Sequence, residues 1–141
     1  MIDSLKIALI RLLAFILVLS NFSCDDSSSY DIIIVGGGTS GVVSAIQSSR
    51  MGSKTLLIEE SNWLGGMLTS AGVSAMDGNY KMPSGFLKEF RDSLVSHYGN
   101  LDSLKTGWVS NLMFEPSVGN RILKEIAQSE KNLTIMYETT I

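Results

Sequence analysis

A short apolar run followed at once by three spaced glycines constrains this chain more than any other feature. Ile32 to Val35 are all apolar, with no alternating polar residue, and this predicts a strand buried on both faces. Gly36-x-Gly38-x-x-Gly41 follows directly, and a helical pattern of apolar residues begins after it. A glycine spacing of this kind is informative when it lies between a strand and a helix, as it does here.

Each glycine of this motif has a separate predicted task. Gly36 lets the chain turn sharply out of the strand, and Gly38 lets a pyrophosphate approach the backbone. Gly41 lets the new helix pack closely against the strand. The unpaired N–H groups and the positive dipole end at the helix start attract phosphate. The motif therefore predicts a diphosphate site at the first strand–helix turn.

The segments after the glycines complete a nucleotide-binding pattern. A helix is predicted over residues 40–51 and ends at Gly52, and a second strand is predicted over Thr55–Ile58. Glu59 closes this strand 18 residues after Gly41. At about that offset, an acid accepts hydrogen bonds from ribose hydroxyls and repels a 2′-phosphate. The alternative is that the glycines only form a turn and Glu59 is an ordinary charge at a strand end.

Residues 1–23 have the layout of a secretory signal peptide. Lys6 and Arg11 supply positive charge, and residues 12–19 form an apolar core that is shorter than the roughly 20 residues needed to span a bilayer. Cys24 is the only cysteine, so it cannot form an internal disulfide. Its position after a small residue resembles a bacterial lipoprotein cleavage site, where the cysteine is lipidated.

Asn21 departs from that lipoprotein pattern, because an aliphatic residue is usual at its position. A plain secretory signal, or a signal anchor that stays attached, therefore remains an alternative. Residues 24–29 are polar and predict a short tether, and residues 30–141 are predicted to form the folded domain. The expected location is outside the cytoplasm of a bacterium, on the membrane through a lipid anchor.

The composition fits an α/β domain behind such a tether. The hydrophobic share is 45% and the net charge is −3, with no basic patch that would indicate nucleic-acid binding. No metal site is predicted. Further predicted elements are a helix capped by Ser84 and ending near Gly99, a helix that begins at Pro116, and a strand over Asn132–Thr139. His97 lies at a helix end with no acidic partner nearby in the sequence, which favours a solvated residue over a catalytic base.

The loop after Glu59 carries a family resemblance. It contains Leu64-Gly65-Gly66-Met67-Leu68-Thr69, and the run from Tyr30 to Thr69 resembles the FAD-dependent oxidoreductases with two dinucleotide-binding domains. The Gly-x-Gly half of this pattern also occurs in NAD enzymes. Its combination with the Leu64–Thr69 loop is much more specific for the FAD-dependent family. A flexible surface connection is the alternative for that loop.

The resemblance implies FAD as the cofactor and a set of binding residues. The first glycine motif would hold the pyrophosphate and Glu59 the adenosine ribose, while Gly65 and Gly66 would pass beside the pyrophosphate and ribityl chain. Met67, Leu68 and Thr69 would supply an apolar and hydroxyl lining. The candidate cofactor-binding residues are Gly36, Gly38, Thr39, Ser40, Gly41, Glu59, Glu60, Gly65, Gly66, Met67 and Thr69. No catalytic residue is assigned, and the partner expected is a small-molecule substrate of unspecified type.

The expected fold is a Rossmann-like α/β domain with a parallel sheet, of the kind that binds FAD or NAD(P), and it is expected to be truncated. Three strands can be counted, whereas open sheets of this class usually have five or six.

Three functions are compatible with these observations. The leading one is the FAD-binding N-terminal part of an exported oxidoreductase. The others are half of a nicotinamide-dependent dehydrogenase and a truncated surface lipoprotein that binds no cofactor.

Overall fold

The structure is a computed structural model that describes residues 29–141. The predicted signal peptide, Cys24 and all but the last residue of the predicted tether lie outside the described residues. Those boundaries and the lipidation of Cys24 stay predictions. Within residues 29–141, no helix combines the length and the apolar character that crossing a bilayer requires.

Three parallel strands and three α-helices form the described part of the chain. The strands are β1 (Ile32–Val35), β2 (Thr55–Ile58) and β3 (Leu133–Met136), in the spatial order β1-β2-β3. The helices are α1 (Thr39–Arg50), α2 (Gly85–Tyr98) and α3 (Pro116–Ser129), and two 3-10 turns lie at Gly66–Leu68 and Asp102–Leu104. The α/β class and the parallel sheet predicted from the sequence are confirmed.

The register of the sheet shows which face the helices cover. Ile34 pairs with Leu57, and Leu57 pairs with Ile135. Leu57 is fully buried in the hydrophobic core, with Ile34 and Ile135 packed against it. Helix α1 packs on all three strands and against α3, and α2 packs against α3. One hydrophobic core therefore lies between one face of the sheet and the helices.

The apolar run of β1 predicted a strand buried on both faces, but the structure shows one face of β1 exposed. Ile33 is 58% exposed and Val35 is 60% exposed. Successive side chains of a strand point to opposite faces, so these two lie on the face away from the helices. Strand β1 is also at the edge of the three-stranded sheet. The prediction was wrong because the described residues cover only one face of this strand.

The predicted element boundaries hold to within a few residues. Helix α1 begins one residue earlier than predicted, and Pro116 begins α3 as expected. Ser84 occupies the N-cap of α2, but its side chain makes no capping hydrogen bond. Strand β3 is shorter at both ends than predicted. Beyond it, Glu138 has φ +52° and its N–H donates to Ser61 O, which takes the chain out of the strand conformation.

Candidate functional site

The turn between β1 and α1 is shaped by two glycines in close contact. Gly36 has φ +94°, a left-handed conformation that L side chains rarely adopt, and its N–H donates to Ile58 O at 2.8 Å. A Cβ on Gly41 would lie 1.9 Å from Gly36 O and 3.6 Å from the Ile34 side chain. The predicted close packing at Gly41 is therefore present, but its nearest partner is the backbone of the turn and not the strand.

Gly38 faces open space at the start of α1. A Cβ built there would meet no other atom within 4 Å. The first helical hydrogen bond runs from Val42 N–H to Gly38 O at 2.9 Å. The N–H groups of Thr39 and Ser40 precede it and have no acceptor within the helix. Open space beside backbone donors at a helix N-terminus suits a diphosphate, so the residues present fit the FAD pyrophosphate.

Gly37, to which the sequence assigned no task, is the residue that joins the glycine turn to the end of β2. It is buried, and its N–H donates to Glu59 Oε2 at 2.5 Å. A Cβ on Gly37 would lie 2.8 Å from Glu59 Oε2 and 2.9 Å from Leu64 Cδ2. The first glycine turn and the acid at the end of β2 therefore form one unit.

The Glu59 carboxylate is held by three protein donors. In addition to the Gly37 N–H, the N–H and the hydroxyl of Ser61 donate to Oε1 at 2.9 Å and 2.6 Å. Burial acts to raise the pKa of Glu59, but the hydrogen bonds from Ser61 and Gly37 outweigh it, so the pKa lies below its ordinary value. Glu59 is only 9% exposed. The side chain is therefore an ionised acceptor at neutral pH, in a fixed orientation.

The Gly65–Gly66 loop lies directly on the glycine turn. Gly65 N–H donates to Gly37 O at 2.8 Å, and the Thr39 hydroxyl donates to Gly65 O at 2.7 Å. A Cβ on Gly66 would lie 3.0 Å from the Cα of Gly38. The structure thus brings together two sequence segments that were predicted to contact the same diphosphate, and these contacts favour a packed loop over the flexible-connection alternative.

Two other residues of this loop have different surroundings. Met67 is 64% exposed, beside the turn at Gly66. Thr69 was expected to line the site with its hydroxyl, but it is 1% exposed and donates that hydroxyl to Leu64 O at 2.5 Å. The Thr69 side chain is occupied inside the loop, because it closes the tight turn that follows Leu64. Its role here is to hold the loop in shape.

A cleft at the carboxyl end of the sheet completes the site. Its volume is about 170 Å³, and it is lined by the ends of β1 and β2, including Glu59 and Glu60, and by the segment Thr139–Ile141. Glu60 is exposed. The backbone N–H of Thr139 donates to Glu59 O at 3.1 Å, which holds that segment beside the end of β2. In open α/β sheets, ligands bind at this edge.

Helix α3 fixes the loop from outside, a feature that the sequence pattern did not show. Asn120 Oδ1 accepts a hydrogen bond from Leu64 N–H at 2.9 Å. Lys124 Nζ donates to the backbone oxygen of Asn62 at 2.8 Å and to its side-chain Oδ1 at 2.9 Å. Both residues lie on α3, far along the chain from the loop that they hold, so no local sequence signal marks them.

His97 lies away from these residues. It is exposed near the end of α2, and its Nδ1 lies 3.1 Å from an Arg121 guanidinium nitrogen. Because arginine can only donate, Nδ1 is the acceptor. The structure places no acidic group in hydrogen-bonding contact with this ring among the described residues, in keeping with a surface residue.

Comparisons with known proteins place this geometry in a family. The model of the family described as FAD dependent oxidoreductase matches residues 31–141. Dihydrolipoyl dehydrogenase 1 of Arabidopsis thaliana is 41% identical over 51 residues, which are 36% of this chain and 10% of that protein. The tRNA uridine 5-carboxymethylaminomethyl modification enzyme MnmG of Lactobacillus johnsonii is 54% identical over 33 residues, 23% of this chain and 5% of that protein.

A longer match at lower identity is the carotenoid phi-ring synthase of Chlorobaculum tepidum, 28% identical over 99 residues, 70% of this chain and 14% of that protein. The chain thus spans about a tenth of the length of the curated relatives it matches. Among solved structures, THI4 of Thermovibrio ammonificans aligns with 95% of this chain and 45% of its own, at 17% identity and a TM-score of 0.47. On the family match over residues 31–141, the chain belongs to the FAD-dependent oxidoreductases, enzymes whose cofactor is FAD.

Proposed function

We propose that this chain supplies the FAD-binding site of an exported oxidoreductase that acts on a small molecule. The observation that carries the proposal is the contact between the two glycine loops beside the open position at Gly38. That contact joins phosphate donors, a fixed carboxylate and a cleft at one edge of the sheet. When FAD is bound, its flavin ring supplies the electron-transfer chemistry, and the protein binds and orients it.

The pyrophosphate would lie at the start of α1. Gly38 leaves the space, the N–H groups of Thr39 and Ser40 point out of the first helical turn, and the helix dipole favours negative charge there. Gly66 lies directly against Gly38, since a Cβ on Gly66 would be 3.0 Å from the Gly38 Cα. Gly36 and Gly41 would contribute indirectly, because they allow the tight turn that places Gly38 at the start of the helix.

The adenosine ribose would lie at Glu59. An ionised carboxylate accepts hydrogen bonds from hydroxyl groups and repels a 2′-phosphate. The cleft beside it is lined by Glu60 and by Thr139–Ile141, and its position at the carboxyl edge of the sheet suits the adenosine half of FAD. Met67, exposed next to Gly66, would then lie on the side of the ribityl chain.

The decisive test is a calorimetric titration of the purified chain with FAD, NAD and NADP. We expect FAD to bind with one-to-one stoichiometry and the two nicotinamide dinucleotides to bind at least about tenfold more weakly. The double variant Gly38→Ala/Glu59→Ala should lose FAD binding while keeping its far-ultraviolet circular dichroism. Tighter binding of NAD than of FAD would favour the dehydrogenase alternative. A folded chain that binds none of the three would be the cofactor-free lipoprotein.

Export and anchoring are a separate part of the proposal and rest on residues 1–29 alone. Basic residues precede an apolar core. Cys24 comes a few residues after that core and immediately before a polar segment. Expression in a bacterium fed a labelled fatty acid tests this. We expect the label on the chain and the chain in the membrane fraction, with both lost in Cys24→Ala. A chain without label, or a label that survives Cys24→Ala, would contradict the lipid anchor.

A further inference from the structure

We propose that Ser61 is a positioning residue that orients the Glu59 carboxylate for the ribose of FAD. The inference rests on the proposed FAD site and adds a residue to it. Ser61 lies two residues after Glu59 and precedes the Leu64–Thr69 motif, and no sequence pattern assigned it a role. Its contribution would come entirely through the carboxylate.

Both donor groups of Ser61 are directed at one oxygen of the Glu59 carboxylate. Its N–H lies 2.9 Å and its hydroxyl 2.6 Å from Glu59 Oε1. The Trp63 N–H donates to the same hydroxyl oxygen at 3.1 Å. Trp63 O lies 3.2 Å from the same hydroxyl, which is farther than Glu59 Oε1, and it is a neutral acceptor. The hydroxyl has a single proton, so it donates that proton to the charged carboxylate. Ser61 is thus both a donor to Glu59 and itself held by the backbone.

The number of acceptor positions explains why orientation matters. An ionised carboxylate has about four acceptor positions. The Gly37 N–H occupies one on Oε2, and Ser61 occupies two on Oε1. About one position therefore remains for a ligand hydroxyl, and its direction depends on the donors that hold the other three. A carboxylate released from Ser61 could turn about its terminal bond, and the ribose would then lose part of its hydrogen bond.

A double-mutant cycle with FAD as the titrant tests this role in the full chain. The variants are Ser61→Ala, Glu59→Gln and their combination, with Ser129→Ala as a control. Ser129 lies at the end of α3 and donates its hydroxyl to Ile126 O on the surface. We expect Ser61→Ala to weaken FAD binding about five- to tenfold and Ser129→Ala to leave it unchanged. In the Glu59→Gln background, Ser61→Ala should change affinity less than about twofold.

A second measurement does not depend on FAD. The carboxyl carbon of Glu59, followed by NMR during an acid titration of the chain without ligand, reports its pKa. Because the Ser61 hydroxyl favours the ionised form, Ser61→Ala should raise the pKa of Glu59. The affinity for FAD should then decline at a higher pH in Ser61→Ala than in the parent chain. Ser61→Thr keeps the hydroxyl and should restore both properties.

The outcomes separate this inference from the function on which it rests. If the parent chain binds FAD but Ser61→Ala binds it equally well, the positioning role is wrong and the FAD site stands. The positioning role is also wrong if Ser61→Ala weakens binding as much in the Glu59→Gln background as in the parent. If the parent chain does not bind FAD, the proposed function fails, and the positioning role fails with it.

Discussion

At the scale of single residues, the glycines of the proposed cofactor site differ in whether the structure has room for a side chain. Gly41 and Gly38 belong to the same motif, yet a Cβ would meet backbone at 1.9 Å at the first and nothing within 4 Å at the second. The two glycines therefore serve different ends. Gly41 allows the turn to form, and Gly38 keeps space for a ligand.

This difference gives a stability prediction for a matched pair of variants. Gly41→Ala should lower the free energy of unfolding by more than about 3 kcal/mol, because the methyl group overlaps Gly36 O, a backbone atom that cannot turn away. Gly38→Ala should change it by less than about 1 kcal/mol. Urea denaturation followed by circular dichroism measures both. Equal stability of the two variants would contradict the geometry of the turn.

The glycine spacing and Glu59 could be predicted from the sequence because both belong to a local pattern along the chain. Gly37 could not be given its role, since that role depends on a carboxylate 22 residues away that approaches only after the strands pair. The Thr69 hydroxyl was wrongly expected in the site because its acceptor, Leu64 O, becomes available only when the loop folds into its tight turn.

Among the helices and strands, α3 positions the loop that carries Gly65 and Gly66. The sequence correctly predicted that this helix begins at Pro116. No sequence pattern indicated that Asn120 and Lys124 of this helix bind a loop 56 and 62 residues earlier in the chain. Long-range polar contacts of this kind have no periodic signal.

The contact from Asn120 gives a prediction for stability and binding together. Asn120→Ala leaves the Leu64 N–H without its partner and should cost about 1–3 kcal/mol of unfolding free energy. FAD affinity should fall as well, because the loop beside Gly38 loses a restraint. Gln128→Ala, an exposed position on the same helix, is the control. Urea unfolding and FAD titration check the two effects, and a variant with unchanged affinity would show that α3 does not position the loop for the cofactor.

An ion-pair network links α1 to α2 and to the residue that follows α3. Arg50, at the end of α1, contacts Glu89 on α2 at 2.7 Å and Glu130, which follows α3, also at 2.7 Å. The hydrogen bond from Arg50 holds the pKa of Glu89 below its ordinary value, against the opposing effect of burial. A carboxyl with a lowered pKa stabilises the fold at pH values above its unfolded-state pKa, and this stabilisation is lost as the pH falls through the folded-state value.

Because the pKa of Glu89 is lowered in the folded state, the stability of the chain should depend on pH. The parent chain should lose unfolding free energy as the pH falls below about 4.5, the ordinary pKa of Glu89. Arg50→Gln should be less stable at pH 7 by about 1 kcal/mol and should lose less on acidification. Thermal unfolding at a series of pH values measures both curves. Parallel curves for the two proteins would mean that the network does not contribute to acid sensitivity.

In the described part of the molecule, helices cover one face of the sheet, and the opposite face exposes apolar residues of its two outer strands. Ile33 and Val35 of β1 and Met136 of β3 are exposed there, whereas Leu56 and Ile58 of the central strand are buried. An apolar edge strand of this kind favours association with other chains. The apolar run of β1 correctly predicted a strand of a parallel sheet, but it wrongly predicted that this strand is buried on both faces. Apolar runs of this type are usually covered on both sides, and the run itself carries no information about which face the helices leave open.

Neighbouring residues of β1 test this asymmetry. Ile33→Thr should reduce self-association, because it removes exposed apolar surface while threonine keeps a high strand propensity. Ile34→Thr lies on the covered face, packed against the core, and should instead lower stability by about 1–3 kcal/mol. Light scattering and urea unfolding compare the two. Increased association in Ile33→Thr, or no loss of stability in Ile34→Thr, would contradict the assignment of the faces.

The proposed cofactor site depends above all on the open position at Gly38, where the FAD diphosphate would bind. Isothermal titration of the parent chain and of Gly38→Ala with FAD tests this position, since the added methyl group meets no protein atom within 4 Å. We expect Gly38→Ala to unfold at the same urea concentration as the parent and to bind FAD at least about tenfold more weakly. Equal FAD affinity in the two folded proteins would contradict the placement of the diphosphate at Gly38.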